Sequence, residues 1–199
     1  MANTSRIAGL APVQYLNGAP WNGQTRTYFV PSSDTNAYAI GDPVDLAGTA
    51  DANGVPGVVL ATAGSAGYMV GSVVAAGSQE QPIGNIQNPD SIIVPATKVR
   101  AYYLQVCDDP AVLFQMQEGG TQTTPLAATN SGQNVDLKSG TNNGYVSGWT
   151  LDIATTTTGS GYQMKLMGLV RTSNNAFGAY AKWLVKINLH RLAAGTPGV

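Results

Sequence analysis

The sequence predicts an all-β protein, a small β-barrel or sandwich with an extended N-terminal arm over residues 1–25. Two observations lead to this prediction. From Arg26 onward, short β-prone segments recur between turns rich in Gly, Pro, Asn and Asp. Later segments alternate apolar and polar residues, which is typical of half-buried strands. The polar stretch 75–90 leaves two possibilities open for residues 26–199, one β domain or two β subdomains.

Residues 1–25 follow neither a helical nor a strand period, because Gly and Pro interrupt them repeatedly. They nevertheless carry more apolar groups than a free tail usually does, among them Ile7, Leu10, Val13, Tyr15 and Trp21. Fully extended, such a segment reaches at most ~80–90 Å, enough to cross onto a neighbouring subunit. We interpret it as an arm that packs either on a neighbour or on its own domain.

The first strands are predicted from their turns. Arg26–Val30 ends at a Pro-Ser-Ser-Asp turn, and Asp51-Ala52-Asn53-Gly54 is a strong turn pattern. The segments 57–63 and 68–74 flank Gly64-Ser65-Ala66-Gly67, which predicts a hairpin. Further strands are predicted at 37–40, 44–46, 91–94 and 98–107.

The later strands have clearer periods. Trp149, Leu151 and Ile153 alternate with polar residues, and a second alternation runs from Trp183 to Leu189 with Leu184 as the exception. Residues 162–172 predict another strand. Segment 109–120 fits a short helix capped by Asp109, or a strand; we favour the strand because its surroundings are β.

Charge and composition restrict the function. Only 11% of the 199 residues are charged and the formal net charge is −1, so the basic surplus of a nucleic-acid-binding protein is absent. Lys98 and Arg100 beside two tyrosines are too few cations for a nucleic-acid groove. The sequence has no apolar run long enough to span a membrane and no secretory leader, which predicts synthesis in a cytoplasm. No partner nucleic acid or membrane is expected.

The residues that usually carry catalysis are scarce. His190 is the only histidine, on the predicted polar face of the last strand, so we expect it to be solvated. Cys107 is expected to be buried and inert, and Asp108-Asp109 to serve as turn and capping groups. Glu80 and Glu118 fall in predicted loops with nothing in the sequence to raise their pKa values. We therefore predict a protein that is not an enzyme and uses no cofactor or metal.

Several stretches resemble the head decoration, or cement, proteins of tailed bacteriophages. The similarity includes Ile40-Gly41-Asp42-Pro43-Val44 and is weak in 119–160. The other similar stretches are 3–13, 16–24, 28–34, 108–110, 114–117 and 183–188. The resemblance implies a structural virion protein, a β-barrel on the outside of the capsid that clamps neighbouring major capsid protein subunits, often as a homotrimer. The expected contacts to capsid or neighbouring copies are Ile7, Leu10, Val13, Tyr15 and Trp21.

Other functions stay open from the sequence. Tyr and Trp side chains beside Asn-rich loops would suit a carbohydrate- or receptor-binding β domain of a phage tail or fibre. A minor tail or head-completion protein would have a similar composition but few copies per particle. An enzyme would depend on Glu80, Glu118 or Asp109.

Overall fold

The computed structural model describes residues 3–64, 67–76, 93–119 and 124–193. Its strands form a closed five-stranded barrel and a separate six-stranded sheet. A single 3₁₀ turn at Ala128–Asn130 is the one helical element in these ranges. The predicted all-β fold with a barrel is therefore confirmed.

The barrel occupies the first half of the chain and has the strand order β2-β4-β3-β5-β6. Its strands are β2 (Arg26–Val30), β3 (Pro43–Ala50), β4 (Pro56–Leu60), β5 (Gly71–Ala76) and β6 (Tyr102–Cys107). The interior is filled by valines and two buried tyrosines, Tyr28 and Tyr38. Asp51 accepts hydrogen bonds from the backbone N–H groups of Asn53 and Val55, which closes the predicted turn between β3 and β4.

The sheet contains one strand from the N-terminal segment and five from the second half, in the order β1-β7-β11-β10-β8-β9. These are β1 (Ala11–Tyr15), β7 (Val112–Gln117), β8 (Asn134–Lys138), β9 (Thr150–Thr157), β10 (Met164–Leu169) and β11 (Lys182–Ile187). One face is buried in a large apolar core in which Trp183 and Phe114 are fully enclosed. We call the opposite face of β1, β7, β11 and β10 the outer face.

The alternating periods predicted the inward residues of the sheet correctly. Trp183, Val185 and Ile187 are buried along β11, and Leu151 is buried on β9. The ambiguous segment 109–120 contains strand β7, as favoured, with Val112 among its inward residues. Asp109 accepts a hydrogen bond from the backbone N–H of Ala111 and so caps the turn before β7.

The predicted hairpin between 57–63 and 68–74 is wrong. Strand β3 lies between β4 and β5, and Val44 is paired with Leu60 on one side and with Gly71 on the other. Residues 65 and 66 of the predicted turn lie outside the described ranges. Turn chemistry between two segments indicates a reversal of the chain, but it does not decide which neighbour each strand pairs with.

The described parts of two other predicted strands, 37–40 and 91–94, form isolated bridges only, and residues 91 and 92 lie outside the described ranges. Tyr38 pairs with Val94, and Ile40 pairs with Val146, without forming longer ladders. Residues 77–92 lie outside the described ranges, and most of the predicted boundary at 75–90 falls within them.

Gln163 joins the barrel to the sheet through its fully buried side chain. Its Oε1 accepts hydrogen bonds from the backbone N–H groups of Gly64 and Leu137, each at 3.0 Å. Its Nε2 donates to the carbonyls of Thr62 (2.8 Å) and Gly67 (3.1 Å). A buried amide whose donors and acceptor are all used fixes both partners in position.

The N-terminal segment packs on its own chain, one of the two alternatives left open by its sequence. Strand β1 pairs antiparallel with β7, and Leu10 is fully buried in the sheet core. The entry to β1 requires glycine, since Gly9 has a φ of 64° and a Cβ there would lie 2.2 Å from the carbonyl oxygen of Gly41.

Candidate interaction surface

A broad groove lies on the outer face of the sheet. Its volume is about 750 Å³. Its walls come from β1, β7, β10 and β11, from Ser131 just before β8, and from the segment that follows β10. Its lining is mainly apolar and comprises Val13, Gln14, Gln115, Ser131, Met167, Gly168, Leu169, Val170, Arg171, Phe177 and Leu184. An open apolar groove on the surface of a protein is a recognisable place for a partner to bind.

Two sequence irregularities create the apolar lining. Strand β10 has a bulge between Leu166 and Gly168 in its pairing with β11, and Met167 in that bulge is 40% exposed. Leu184 is the residue that breaks the alternation of β11, which places a leucine on the outer face between two lysines. These two positions thus add Met167 and Leu184 to an apolar lining that also includes Val13, Leu169, Val170 and Phe177.

The chain after β10 forms the far wall of the groove. Phe177 is 48% exposed, and its ring packs against Trp183 with centroids 5.7 Å apart. Asn175 fixes this wall, because its Nδ2 donates to the carbonyls of Val170 and Lys182, each at 2.8 Å. The wall is therefore held to β11 by side-chain hydrogen bonds.

The five predicted contact residues do not form one surface. Val13 lines the groove and is 38% exposed, whereas Leu10 is enclosed in the core of its own chain. Tyr15 and Trp21 are half-buried against that core, and Ile7 is half-buried. Of the five, Val13 is the one that the structure brings to the candidate site.

The outer edge of β1 is covered by the segment that follows it. The backbone N–H of Tyr15 donates to the carbonyl of Ala19, and that of Trp21 donates to the carbonyl of Val13. In this structure both edges of β1 already have backbone partners from the same chain, which is how many proteins protect an edge strand.

His190 corrects a sequence prediction, because it is buried rather than solvated. Its Nδ1 accepts a hydrogen bond from the backbone N–H of Leu192 at 3.0 Å, and Met69 forms a parallel bridge with it. Burial, with a smaller contribution from Lys186, lowers the pKa of His190 to about 4. The strand period fails here because β11 ends at Ile187 and the chain turns before His190.

Glu118 corrects a second prediction. It is fully buried one residue after β7, and its Oε2 accepts hydrogen bonds from the Trp183 Nε1–H and the Leu126 backbone N–H, each at 3.2 Å. Burial raises the pKa of Glu118 to about 7, although these hydrogen bonds oppose the shift. The inward period of β7 (Val112, Phe114, Met116) continues to position 118, and that signal could have placed this carboxyl inside.

The remaining reactive groups have structural partners. Cys107 is buried as predicted, and burial raises the pKa of its thiol to about 12. Asp108 accepts a hydrogen bond from the Tyr28 hydroxyl at 2.7 Å and pairs with Arg26 at 3.1 Å. Glu80 lies outside the described ranges.

Among the residues the structure describes, no three His, Cys, Asp or Glu side chains come together as a metal site. No helix in the same ranges has the length and apolar character needed to cross a membrane. No protein-family model, no curated protein and no solved structure matches this chain.

Proposed function

We propose that this protein is a non-enzymatic structural virion protein that binds the outer surface of a bacteriophage capsid. It stabilises the capsid by clamping neighbouring major capsid protein subunits, and it acts as a homotrimer. The sequence resemblance to head decoration proteins suggests this function. The observation that carries it is the apolar groove on the outer face, which includes Val13 from the predicted contact segment.

The groove is suited to a partner's side chains. Val13, Met167 and Phe177 are each more than one third exposed in the single chain, and burying them under another protein would remove apolar surface from water. Because each groove offers a limited area, linking several copies in an oligomer would strengthen binding through effective concentration.

The buried titratable groups also favour a structural function. Glu118 and His190 have shifted pKa values, which often mark catalytic sites, but both side chains are enclosed in the core. A substrate approaching from solvent would not reach them. Glu118 Oε2 and His190 Nδ1 have backbone N–H partners, whereas Glu118 Oε1 and His190 Nε2 are buried without a hydrogen-bond partner in the described part of the chain.

The test is co-sedimentation of the protein with DNA-filled and empty capsids from one source, with bound copies counted against the major capsid protein. We expect saturable binding at a fixed, high ratio and capsids that withstand higher temperature. Absence of binding, or only a few copies per particle, would contradict the proposal and favour a tail or head-completion component.

A matched pair of variants locates the contact. Met167 and Leu192 are both 40% exposed, but Met167 lines the groove and Leu192 does not. We expect Met167→Gln to weaken capsid binding about tenfold and Leu192→Gln to leave it unchanged, with equal thermal stability of both variants. Equal capsid binding by the two variants would show that the groove is not part of the interface with the capsid.

A second candidate function has one observation in its favour. Tyr145 is 66% exposed on a loop held by Asn142 and Asn143, whose side-chain oxygens accept backbone N–H groups at 3.1 and 3.0 Å. A fixed, exposed aromatic ring suits stacking against a sugar in a tail or fibre domain. Glycan-array binding that is lost in Tyr145→Ala would support it, and an array without hits would exclude it.

A further inference from the structure

A small polar cavity lies beside the groove, where residues 3–6 pass the start of β11 at Lys182. Its volume is about 150 Å³. Its lining consists of two cations, amide side chains and hydroxyl groups: Asn3, Thr4, Arg6, Gln117, Asn174, Asn175, Tyr180 and Lys182. Among the described residues, no carboxylate lines it. The cavity is therefore different in character from the apolar groove.

Buried hydrogen bonds build the floor of the cavity. Gln117 is almost completely buried; its Oε1 accepts from the Arg6 backbone N–H at 2.8 Å. Its Nε2 donates to the carbonyls of Thr4 (2.9 Å) and Tyr180 (2.6 Å). Since Gln117 already has partners for its donors and its acceptor, it holds the surrounding chain segments in place and is not itself the group that needs a ligand.

The walls are fixed in the same way. The Nδ2 of Asn3 donates to the carbonyl of Ala176 at 2.7 Å, and its Oδ1 accepts from the Ala176 backbone N–H at 3.0 Å. Tyr180 is the one non-glycine residue with a positive φ, 63°, in the described part of the chain. That left-handed conformation is uncommon for a residue with a side chain and persists only where surrounding contacts offset its cost, and here it presents the Tyr180 carbonyl to Gln117.

Arg6 and Lys182 both flank Gln117. The backbone of Arg6 is bonded to the Gln117 side chain, and Lys182 is the cross-strand partner of Gln117 in the β7–β11 pair. Both also line a second, smaller space around Gln117. Within the described ranges, the three ion pairs involve Arg26, Lys98 and Arg191, so neither Arg6 nor Lys182 has a carboxylate partner.

We propose that this cavity is a binding site for an oxyanion, a carboxylate or a phosphoryl group, held by Arg6 and Lys182. Both cations line the cavity, so an anion held there would accept charge-assisted hydrogen bonds from each of them. The planar guanidinium of Arg6 suits two oxygens of one group, and the Lys182 ammonium supplies a point charge. The volume accommodates such a group with its nearest water. This site does not depend on capsid binding.

The test is an NMR titration of the full-length protein with inorganic phosphate and, separately, with acetate, at constant ionic strength set by chloride. We expect saturable shifts of the Gln117 side-chain amide and of the Arg6 and Lys182 backbone amides. Tighter binding of phosphate assigns the site to a phosphoryl group, and tighter binding of acetate assigns it to a carboxylate such as a peptide terminus or an acidic side chain.

Charge-neutral variants provide the control. Arg6→Gln and Lys182→Gln should each weaken binding about tenfold or more, while Lys138→Gln, which removes an exposed lysine from the end of β8, should not change it. The proposal is overturned if chloride alone produces the same shifts, or if a double Arg6→Gln, Lys182→Gln variant with an intact spectrum binds as tightly as the wild type.

Discussion

The barrel and the sheet differ in how they use charged side chains. In the described part of the chain, each ion pair uses a carboxylate of the barrel or of the residue that directly follows β6. The pairs are Lys98 with Asp34, Arg191 with Asp45 and Arg26 with Asp108. On the outer face of the sheet, Lys182 and Arg171 line cavities to which the described part of the chain contributes no carboxylate. In the barrel, carboxylates are paired with cations of the same chain. The outer face of the sheet instead presents positive charge and exposed apolar area that a partner can contact.

The two parts also differ in what they enclose. The barrel interior is made of small β-branched side chains and two tyrosines whose hydroxyls reach aspartates. The sheet core is larger and includes Trp183 with a buried carboxyl, Glu118, bonded to it. We therefore expect the sheet to contain the most sensitive packing position and the clearest pH dependence, and the barrel to depend on its ion pairs.

The largest expected effect is in the sheet core. Trp183→Ala removes a fully buried ring and should lower the free energy of unfolding by ~3–5 kcal/mol, measured by urea denaturation. Tyr145→Ala, at a mostly exposed ring, should change it by less than about 0.5 kcal/mol. A loss below about 1 kcal/mol for Trp183→Ala would mean that this face of β11 is not the packed one.

The next effect tests the barrel. The Lys98 side chain is fully enclosed and donates to Asp34 Oδ1 at 2.9 Å and to the carbonyls of Asp34 and Asn36. Lys98→Met removes the cation from all three acceptors and leaves the Asp34 carboxylate without its ion-pair partner, so we expect a loss of about 3 kcal/mol in the free energy of unfolding.

Lys138→Met, at an exposed lysine, is the matched control and should be nearly neutral. If the two methionine variants were equally stable, the ion pair would contribute nothing to the barrel, and the contrast with the sheet would disappear.

The smallest effect is a pH dependence in which two sheet-side groups oppose each other. The folded pKa of Glu118 is raised from 4.5 to about 7, so its contribution to stability falls as pH rises through this range. The folded pKa of His190 is lowered from 6.5 to about 4, so its contribution rises over pH 4–6.5. In the wild type these slopes should nearly cancel between pH 4.5 and 6.5.

Glu118→Gln should expose the histidine slope as a gain of roughly 1.4 kcal/mol per pH unit from pH 4.5 to 6.5, measured by urea denaturation at each pH. Cys107→Ala changes another buried group of the core without altering titration in this range and should leave the profile flat. A flat profile for Glu118→Gln would show that His190 has an ordinary pKa in the folded protein, whereas a wild-type profile as steep as that of the variant would show the same of Glu118.

The candidate surface was only partly predictable. Val13 was predicted as a contact residue because it is apolar and lies in a segment without a helical or strand period, and it lines the groove. Met167 and Phe177 were not identified, since the bulge at Gly168 and the packing of the 170–181 segment on Trp183 depend on contacts between distant residues. Leu10 looked like Val13 in the sequence, yet the close approach of Gly9 to Gly41 places it in the core.

The sequence by itself determined the fold class and the inward residues of β9 and β11, because an alternating period is a local property of the chain. At Val112–Gln117 it left a helix and a strand open and favoured the strand only because the neighbouring segments are β. Only the tertiary structure decided that β3 lies between β4 and β5, that β1 joins its own sheet, and that His190 and Glu118 are enclosed. Strand order and burial beyond a strand's end depend on which distant segments meet. Non-local pairings of this kind leave no periodic pattern in a single sequence.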